Sequence, residues 1–181
     1  SNDENIYSVD ADTGDQQWVF ETNRRVHSSP TVKRGTVYVG SFDGHLYAVD
    51  ATTGDQQWAF ETDNRILSSP TVVDNTVFIG SADRNLYAVD ANTGEQQWAF
   101  ETDGPVDSPP TVIDSTVYVG SADNNLYAVD ATKGEQQWVF ETGGNVYSSP
   151  TVIDGTVFVG SYDNSLYAVN ADTGEQQWAF E

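Results

Sequence analysis

The stretch AVDATTGDQQW, residues 48–58, returns as AVDANTGEQQW at 88–98. With one change each it stands as SVDADTGDQQW at 8–18, AVDATKGEQQW at 128–138 and AVNADTGEQQW at 168–178. The common pattern is A-x-D-x-x-T-G-x-x-x-W. Working outward, Gly-Ser recurs at 40–41, 80–81, 120–121 and 160–161, and Ser-Pro-Thr or Pro-Pro-Thr at 29–31, 69–71, 109–111 and 149–151. Residues 41–80 and 81–120 are identical at 26 of 40 positions. A fixed period of this length means a repeat architecture built by duplication.

One unit, residues 27–61, reads as four short strands. HSSPTVK is a first strand with a proline near its start, where a missing N–H is tolerated. The pair RG turns it into TVYVGS, whose alternating β-branched and aromatic residues make a second strand. FDGH is a polar turn, LYAVDA a third strand, TTGD a tight turn and QQWAFET a fourth strand. Trp58 and Phe60, two apart, share one face of that last strand. No segment has helical periodicity. Four antiparallel strands in each repeat unit predict an all-β propeller. Complete blades fall at about 27–62, 67–102, 107–142 and 147–181, in one domain spanning 1–181. Residues 1–21 supply only the last two strands of a further blade, so the chain carries four and a half blades.

Composition narrows the function classes. The 181 residues include no cysteine and no methionine, which excludes disulfides, thiolate metal sites and a cysteine nucleophile. No run approaches the 18 apolar residues of a membrane span, and residues 1–20 do not read as a signal peptide. Acidic residues number 28 against 7 Lys and Arg, for a net charge of −21. Such a field repels phosphate backbones and anionic membranes, so neither nucleic acid nor membrane insertion is expected. Disorder, the usual companion of high charge, conflicts with 12 % aromatic residues. An acidic, lysine-poor, well-patterned chain reads as a protein adapted to high salt.

The fivefold motif resembles the tryptophan-docking repeat of the pyrroloquinoline-quinone (PQQ)-like propellers. That family includes quinoprotein alcohol dehydrogenases and the propeller lipoprotein of the outer-membrane barrel-assembly machinery. The resemblance covers the whole chain. It implies that Trp18, Trp58, Trp98, Trp138 and Trp178 form a girdle, each stacking near the turn glycine of the adjacent blade, among Gly14, Gly54, Gly94, Gly134 and Gly174. On physical grounds Asp10, Asp50, Asp90, Asp130 and Asn170 accept backbone N–H bonds across that turn. Lys133, in the threonine position, is expected to weaken one corner. A second recurrent element, Ser-x-Asp, places Asp3, Asp43, Asp83, Asp123 and Asp163 at the bend between second and third strands. Asx-type turns are the expectation there, and calcium the competing one.

Catalysis finds little support in the sequence. The quinoprotein enzymes of the resembled family use a vicinal Cys-Cys and a calcium held by acids and amides, neither of which is legible here, so PQQ with calcium is not expected as a cofactor. His27 and His45 lack metal spacing, and no G-x-S-x-G, G-x-G-x-x-G or Walker loop occurs. Function should lie where the repeats differ. His27, Leu67, Asp107 and Tyr147, just before each Ser/Pro-rich element, are read as entering the innermost strands and ringing the channel mouth. Six of the seven basic residues lie in the first 84, leaving one less negative sector. The expected function is a non-catalytic, protein-binding or assembly scaffold, located at the cell surface or outside the cell, with the cytoplasm left open. A fragment of a PQQ-dependent dehydrogenase or other propeller enzyme is the alternative. Exposed end blades further predict a homodimer that completes an eight-bladed ring.

Overall fold

The computed structural model describes all 181 residues, and every regular element in it is a strand. The chain opens with a hairpin of β1 (Asn5–Val9) and β2 (Gln16–Glu21). Four meanders follow, each a sheet of four consecutive antiparallel strands. The first holds β3 (Thr31–Lys33), β4 (Thr36–Gly40), β5 (His45–Asp50) and β6 (Gln56–Glu61). The second holds β7 (Thr71–Val73), β8 (Thr76–Gly80), β9 (Asn85–Asp90) and β10 (Gln96–Glu101). The third runs through β11 (Thr111–Ile113), β12 (Thr116–Gly120), β13 (Asn125–Asp130) and β14 (Gln136–Glu141). The fourth runs through β15 (Thr151–Ile153), β16 (Thr156–Gly160), β17 (Leu166–Asn170) and β18 (Gln176–Phe180). This is the expected all-β propeller of four and a half blades.

The first strand of each blade is shorter than HSSPTVK implied: it begins only at the threonine after the proline. Proline removes a ladder donor and restrains the residue before it. Two of the preceding serines instead turn to the next blade. Ser68 Oγ donates to the Ser108 carbonyl at 3.1 Å and Ser108 Oγ to that of Ser148 at 2.8 Å. Thr31, Thr71 and Thr111 hydroxyls donate to the carbonyls of Pro70, Pro110 and Pro150. The innermost strands are thus laced blade to blade along the channel edge.

The core is divided among the interfaces between blades. Leu46, Ala48, Trp58 and Ile66 pack on Val77, Ile79, Tyr87 and Val89 of the next sheet, and the other interfaces repeat this with Leu86 and Leu126 as the central leucines. The β4 and β5 residues Val37, Val39, Tyr47 and Val49 pack backward on Ile6 and Trp18 of the hairpin. The central strands of the first three complete blades are therefore buried on both faces, one toward each neighbour.

A bulge is built into every outer hairpin. Ala48 faces Trp58 and Val49 faces Gln56, so Gln57 is the extra residue. The same irregularity falls at Gln17, Gln97, Gln137 and Gln177. A bulge adds local twist and re-aims the following side chain. Here that side chain is the tryptophan, and the bulged Gln57 Oε1 is held by the Thr36 hydroxyl at 3.0 Å.

Candidate functional site

The face with functional potential is framed by the Ser-x-Asp bends. Asp43 Oδ1 accepts the His45 backbone N–H at 3.0 Å, an Asx turn. Its Oδ2 accepts the Tyr47 hydroxyl and, across the blade boundary, the Asn23 N–H, both at 2.9 Å. Asp83 and Asp123 repeat all three bonds, and so does Asp163, with Gly143 supplying the cross-linker N–H at 2.7 Å. Asp3 accepts the Asn5 N–H and the hydroxyls of Tyr7 and Ser1. Each of the four later bends is thereby fastened to the linker that enters its own blade. These carboxylates spend their lone pairs on protein donors, and no three His, Asp or Glu side chains converge as a metal-ligand set. Burial first, and then the Asp bond, push the phenols of Tyr47, Tyr87 and Tyr127 well above the usual tyrosine range.

The opposite corner of each blade is the docking turn. Asp50 Oδ1 accepts the N–H groups of Thr52 and Thr53 at 2.8 and 2.9 Å, and Asn170 does the same at 2.9 Å with its amide oxygen. The Thr53 and Thr52 N–H groups hold Asp50 below the usual carboxylate range, as those of Thr13 and Asp12 do Asp10. Thr53, Thr93 and Thr173 hydroxyls accept the N–H two residues on. The Lys133 side chain has no such oxygen and makes only an exposed 3.8 Å contact with Glu135. Lys133→Thr is therefore expected to raise stability by about 0.5 kcal/mol, read as a higher urea midpoint; an unchanged or lower midpoint would show that the missing bond carries no weight.

Four tryptophans meet the turn of the next blade: Trp18 lies against Gly54, Trp58 against Gly94, Trp98 against Gly134 and Trp138 against Gly174. A Cβ added to Gly94 would stand 2.8 Å from the Trp58 ring, and its φ of +75° belongs to glycine in any case. Each indole N–H also donates to a carbonyl of that blade, Ala51, Ala91, Ala131 or Ala171, at 2.9–3.1 Å. The implied set of ten is not brought together in full. Gly14 has no atom outside its chain neighbours within 4 Å of its would-be Cβ, and Trp178 is 44 % exposed. The girdle needs a neighbouring blade on each side, and these two residues lie on the outer faces.

His27, Leu67, Asp107 and Tyr147 lie in the linkers ahead of β3, β7, β11 and β15, not within the innermost strands. The prolines delay the strands, as described above. They are followed directly by Ser28, Ser68, Ser108 and Ser148, and three of them fall into two groups. The His27 ring stacks on Phe42 at 4.7 Å, and the Arg65 guanidinium lies 5.9 Å over the same phenyl ring. Burial pushes the carboxyl of Asp107 up, the charge of Arg65 draws it partly back, and its Oδ1 has no hydrogen-bond partner. In the other group Tyr147 packs edge-on against Tyr162 at 5.0 Å. Leu67 is half-buried and joins neither.

Around Phe42 open two shallow depressions of about 390 and 280 Å³, sharing Arg24 and Phe42; Arg65 lines the larger together with Asp43, Glu61 and Asp63, and Arg25 the smaller together with Glu4. Arg24, Arg25 and Arg65 have no carboxylate oxygen within 4.0 Å; Arg84 does, with Glu101. Sequence reasoning found the basic sector but not Phe42 as its centre. The signal was present: the position reads Phe42, Ala82, Ala122 and Tyr162 in the four blades.

Comparison with known proteins follows this geometry. The family model described as "Beta-alanine-activating enzyme, beta-propeller" matches residues 1–181 in full. The chain belongs to this beta-propeller family. Among solved structures, this beta-propeller is similar to BamB from Moraxella catarrhalis, at 28 % identity and a TM-score of 0.89 over 99 % of this chain and 56 % of that one. It shares its fold with the computationally designed protein Ika8, at 18 % identity and TM-score 0.89 over 99 % and 57 % of the two chains. It also shares it with quinohemoprotein alcohol dehydrogenase from Comamonas testosteroni, at 21 % and 0.78 over 87 % and 35 %. The beta-propeller described here thus spans little more than half the length of BamB. No curated protein matches its sequence.

Proposed function

We propose that this chain is a non-catalytic interaction propeller that docks an acidic protein segment on the arginine sector of its first two blades. The observation that carries the reading is the arrangement of Arg24, Arg25 and Arg65 about Phe42 without an ion pair, in a chain of net charge −21. Free guanidinium groups beside a half-buried aromatic ring are the side chains over-represented at interface anchors. The surrounding acidic body repels a misplaced acidic partner and orients the correct one toward this sector. The 28 % likeness to BamB favours binding over chemistry, whereas the likeness to the quinohemoprotein dehydrogenase is one of fold alone. The protein would work at or outside the cell surface.

The test is the binding of a fluorescent glutamate-rich peptide containing one tryptophan. Arg65→Glu should weaken it about tenfold, and Arg84→Glu, on the already paired arginine, should leave it unchanged. Equal loss from both variants, or none from either, overturns the docking sector. A rise of several degrees in the melting midpoint on adding PQQ with calcium would instead establish the enzyme-fragment reading.

Adaptation to high salt is part of the same proposal. Folding concentrates a charge of −21 that the unfolded chain spreads out. Screening reaches about 10 Å at about 0.1 M salt and about 3 Å at about 1 M. The melting midpoint should therefore climb with KCl from low to molar concentration, and a flat or falling midpoint sinks this adaptation.

A further inference from the structure

The interface between the third and fourth blades opens, beside the docking turn, into a cavity of about 500 Å³. Its floor is buried: Tyr118 and Ala171 line it with little exposure, and the Tyr118 hydroxyl donates to the Ala171 carbonyl at 3.3 Å. Asp114, Asp154 and Asp172 stand exposed at its rim. None of the three has a cationic nitrogen within 4.0 Å, and they do not converge as a metal-ligand set.

The same place between the first and second blades is filled by the chain itself. There the cavity shrinks to about 60 Å³, with Lys33, Arg34, Asn75 and Asn92 where the later interface has Ile113, Asp114, Gly155 and Asp172. The Asn92 amide donates to Asn75 Oδ1 and the Asn75 amide to Asp90 Oδ2, both at 2.8 Å, so the two amides close the gap. Burial pushes the phenols of Tyr38 and Tyr118 up alike. At Tyr38 the Arg34 guanidinium draws it partly back, whereas at Tyr118 the charges of Asp172 and Asp114 push it further. One copy of this place therefore carries two cations on aliphatic stems, and the other lacks them and carries two extra acids. Between the second and third blades, Phe78, Ser115 and Thr132 stand in place of Tyr118, Gly155 and Asp172. The phenol, the gap and the third acid come together once.

We propose that the open cavity binds a linear aliphatic polyamine, whose ammonium groups meet the rim carboxylates and whose methylene stem lies on Val152 and Ala171 of the floor. The ligand brings from outside what Lys33 and Arg34 bring from within: positive groups carried on apolar stems. Charges spaced along a flexible stem match carboxylates spread around an apolar floor, whereas a metal ion needs ligands gathered at one point. The volume is that of a small-molecule site. Neutralising the rim also relieves repulsion among like charges in a chain of net charge −21. The cavity lies at the docking-turn corner, opposite the bends that frame the arginine sector, and is independent of it.

Calorimetric titration of the full chain with spermidine, at about 0.1 M KCl to limit screening, should show a saturable site. Gly155→Asn with Asp172→Asn copies the amide pair of the second blade and should weaken binding about tenfold or more. A Cβ at Gly155 meets no atom within 4 Å, so the amide has room. Ile113→Lys with Asp114→Arg copies the first blade and should abolish binding; Arg34 already adopts that backbone, at φ +50° against +47° for Asp114. Asp74→Asn removes one acid at the filled interface and should leave the affinity unchanged, and magnesium at equal charge should not displace spermidine. Far-UV spectra confirm that each variant is folded. Absence of a saturable site, full affinity in either folded double variant, equal loss in Asp74→Asn, or displacement by magnesium overturns the proposal.

Discussion

Trp98→Ala is expected to lower stability by about 3–5 kcal/mol, the range for removing a buried tryptophan. Trp98 is 9 % exposed, touches the turn of the third blade at Gly134 and donates its N–H to the Ala131 carbonyl. Phe78 packs against its ring at 5.8 Å and loses that neighbour too. The substitution leaves a cavity, an unpartnered carbonyl and a bare glycine at one interface. Because each blade touches only its neighbours, the damage is local, and the stack can part there. Urea unfolding followed by tyrosine fluorescence should become biphasic, the two halves melting apart. Trp178→Ala is the control: its ring is nearly half exposed and bonds to no carbonyl, so its loss should cost less than about 1 kcal/mol. Equal costs at the two positions would refute the docking account of stability.

Gly80→Ala is the second large effect, at about 3 kcal/mol, the upper end of ordinary overpacking. Gly80 ends β8 with the backbone of the next linker against it. A methyl there would stand 2.3 Å from the Val106 carbonyl oxygen and 2.5 Å from a Val106 methyl. A flexible side-chain tip can move aside, but a backbone carbonyl held in the next blade's structure cannot. Two blades must separate, and Val106, fully buried, loses contact. Gly160→Ala meets only Ser148 at 3.7 Å or beyond and should be nearly neutral. A thermal scan of the two variants checks the contrast, and a Gly80→Ala midpoint that matches the parent would refute it.

These two positions show how much was legible beforehand. Trp98 announced itself, because a bulky residue on so strict a repeat period has to be an anchor. Gly80 recurred just as strictly in the Gly-Ser pairs, but its meaning lies in Val106, in the linker that leads to the next blade, and no local pattern joins the two. The Asp83 bend was similar. Its Asx turn with Asn85 is local and was expected, whereas the bond from Asp63 N–H crosses to the incoming linker. The proposed docking sector divides the same way. The basic residues at 24, 25 and 65 could be counted from the sequence, but their gathering on Phe42 brings together residues from two linkers and one bend.

The sequence by itself determined the strand order, the blade count and the regular spacing of the five tryptophans. Those follow from alternation within strands and from the repeat period, both properties of short contiguous stretches. Only the tertiary structure decided what faces what across a blade boundary. It moved His27, Leu67, Asp107 and Tyr147 out of the innermost strands, because the prolines postpone pairing until the following threonine. It turned the Ser-Pro-Thr elements into the lacing of the channel edge. It left Trp178 and Gly14 without partners on opposite end faces. The physical reason is common to all three: contacts between blades join residues from different repeats, and the geometry that pairs them exists only once the sheets have stacked.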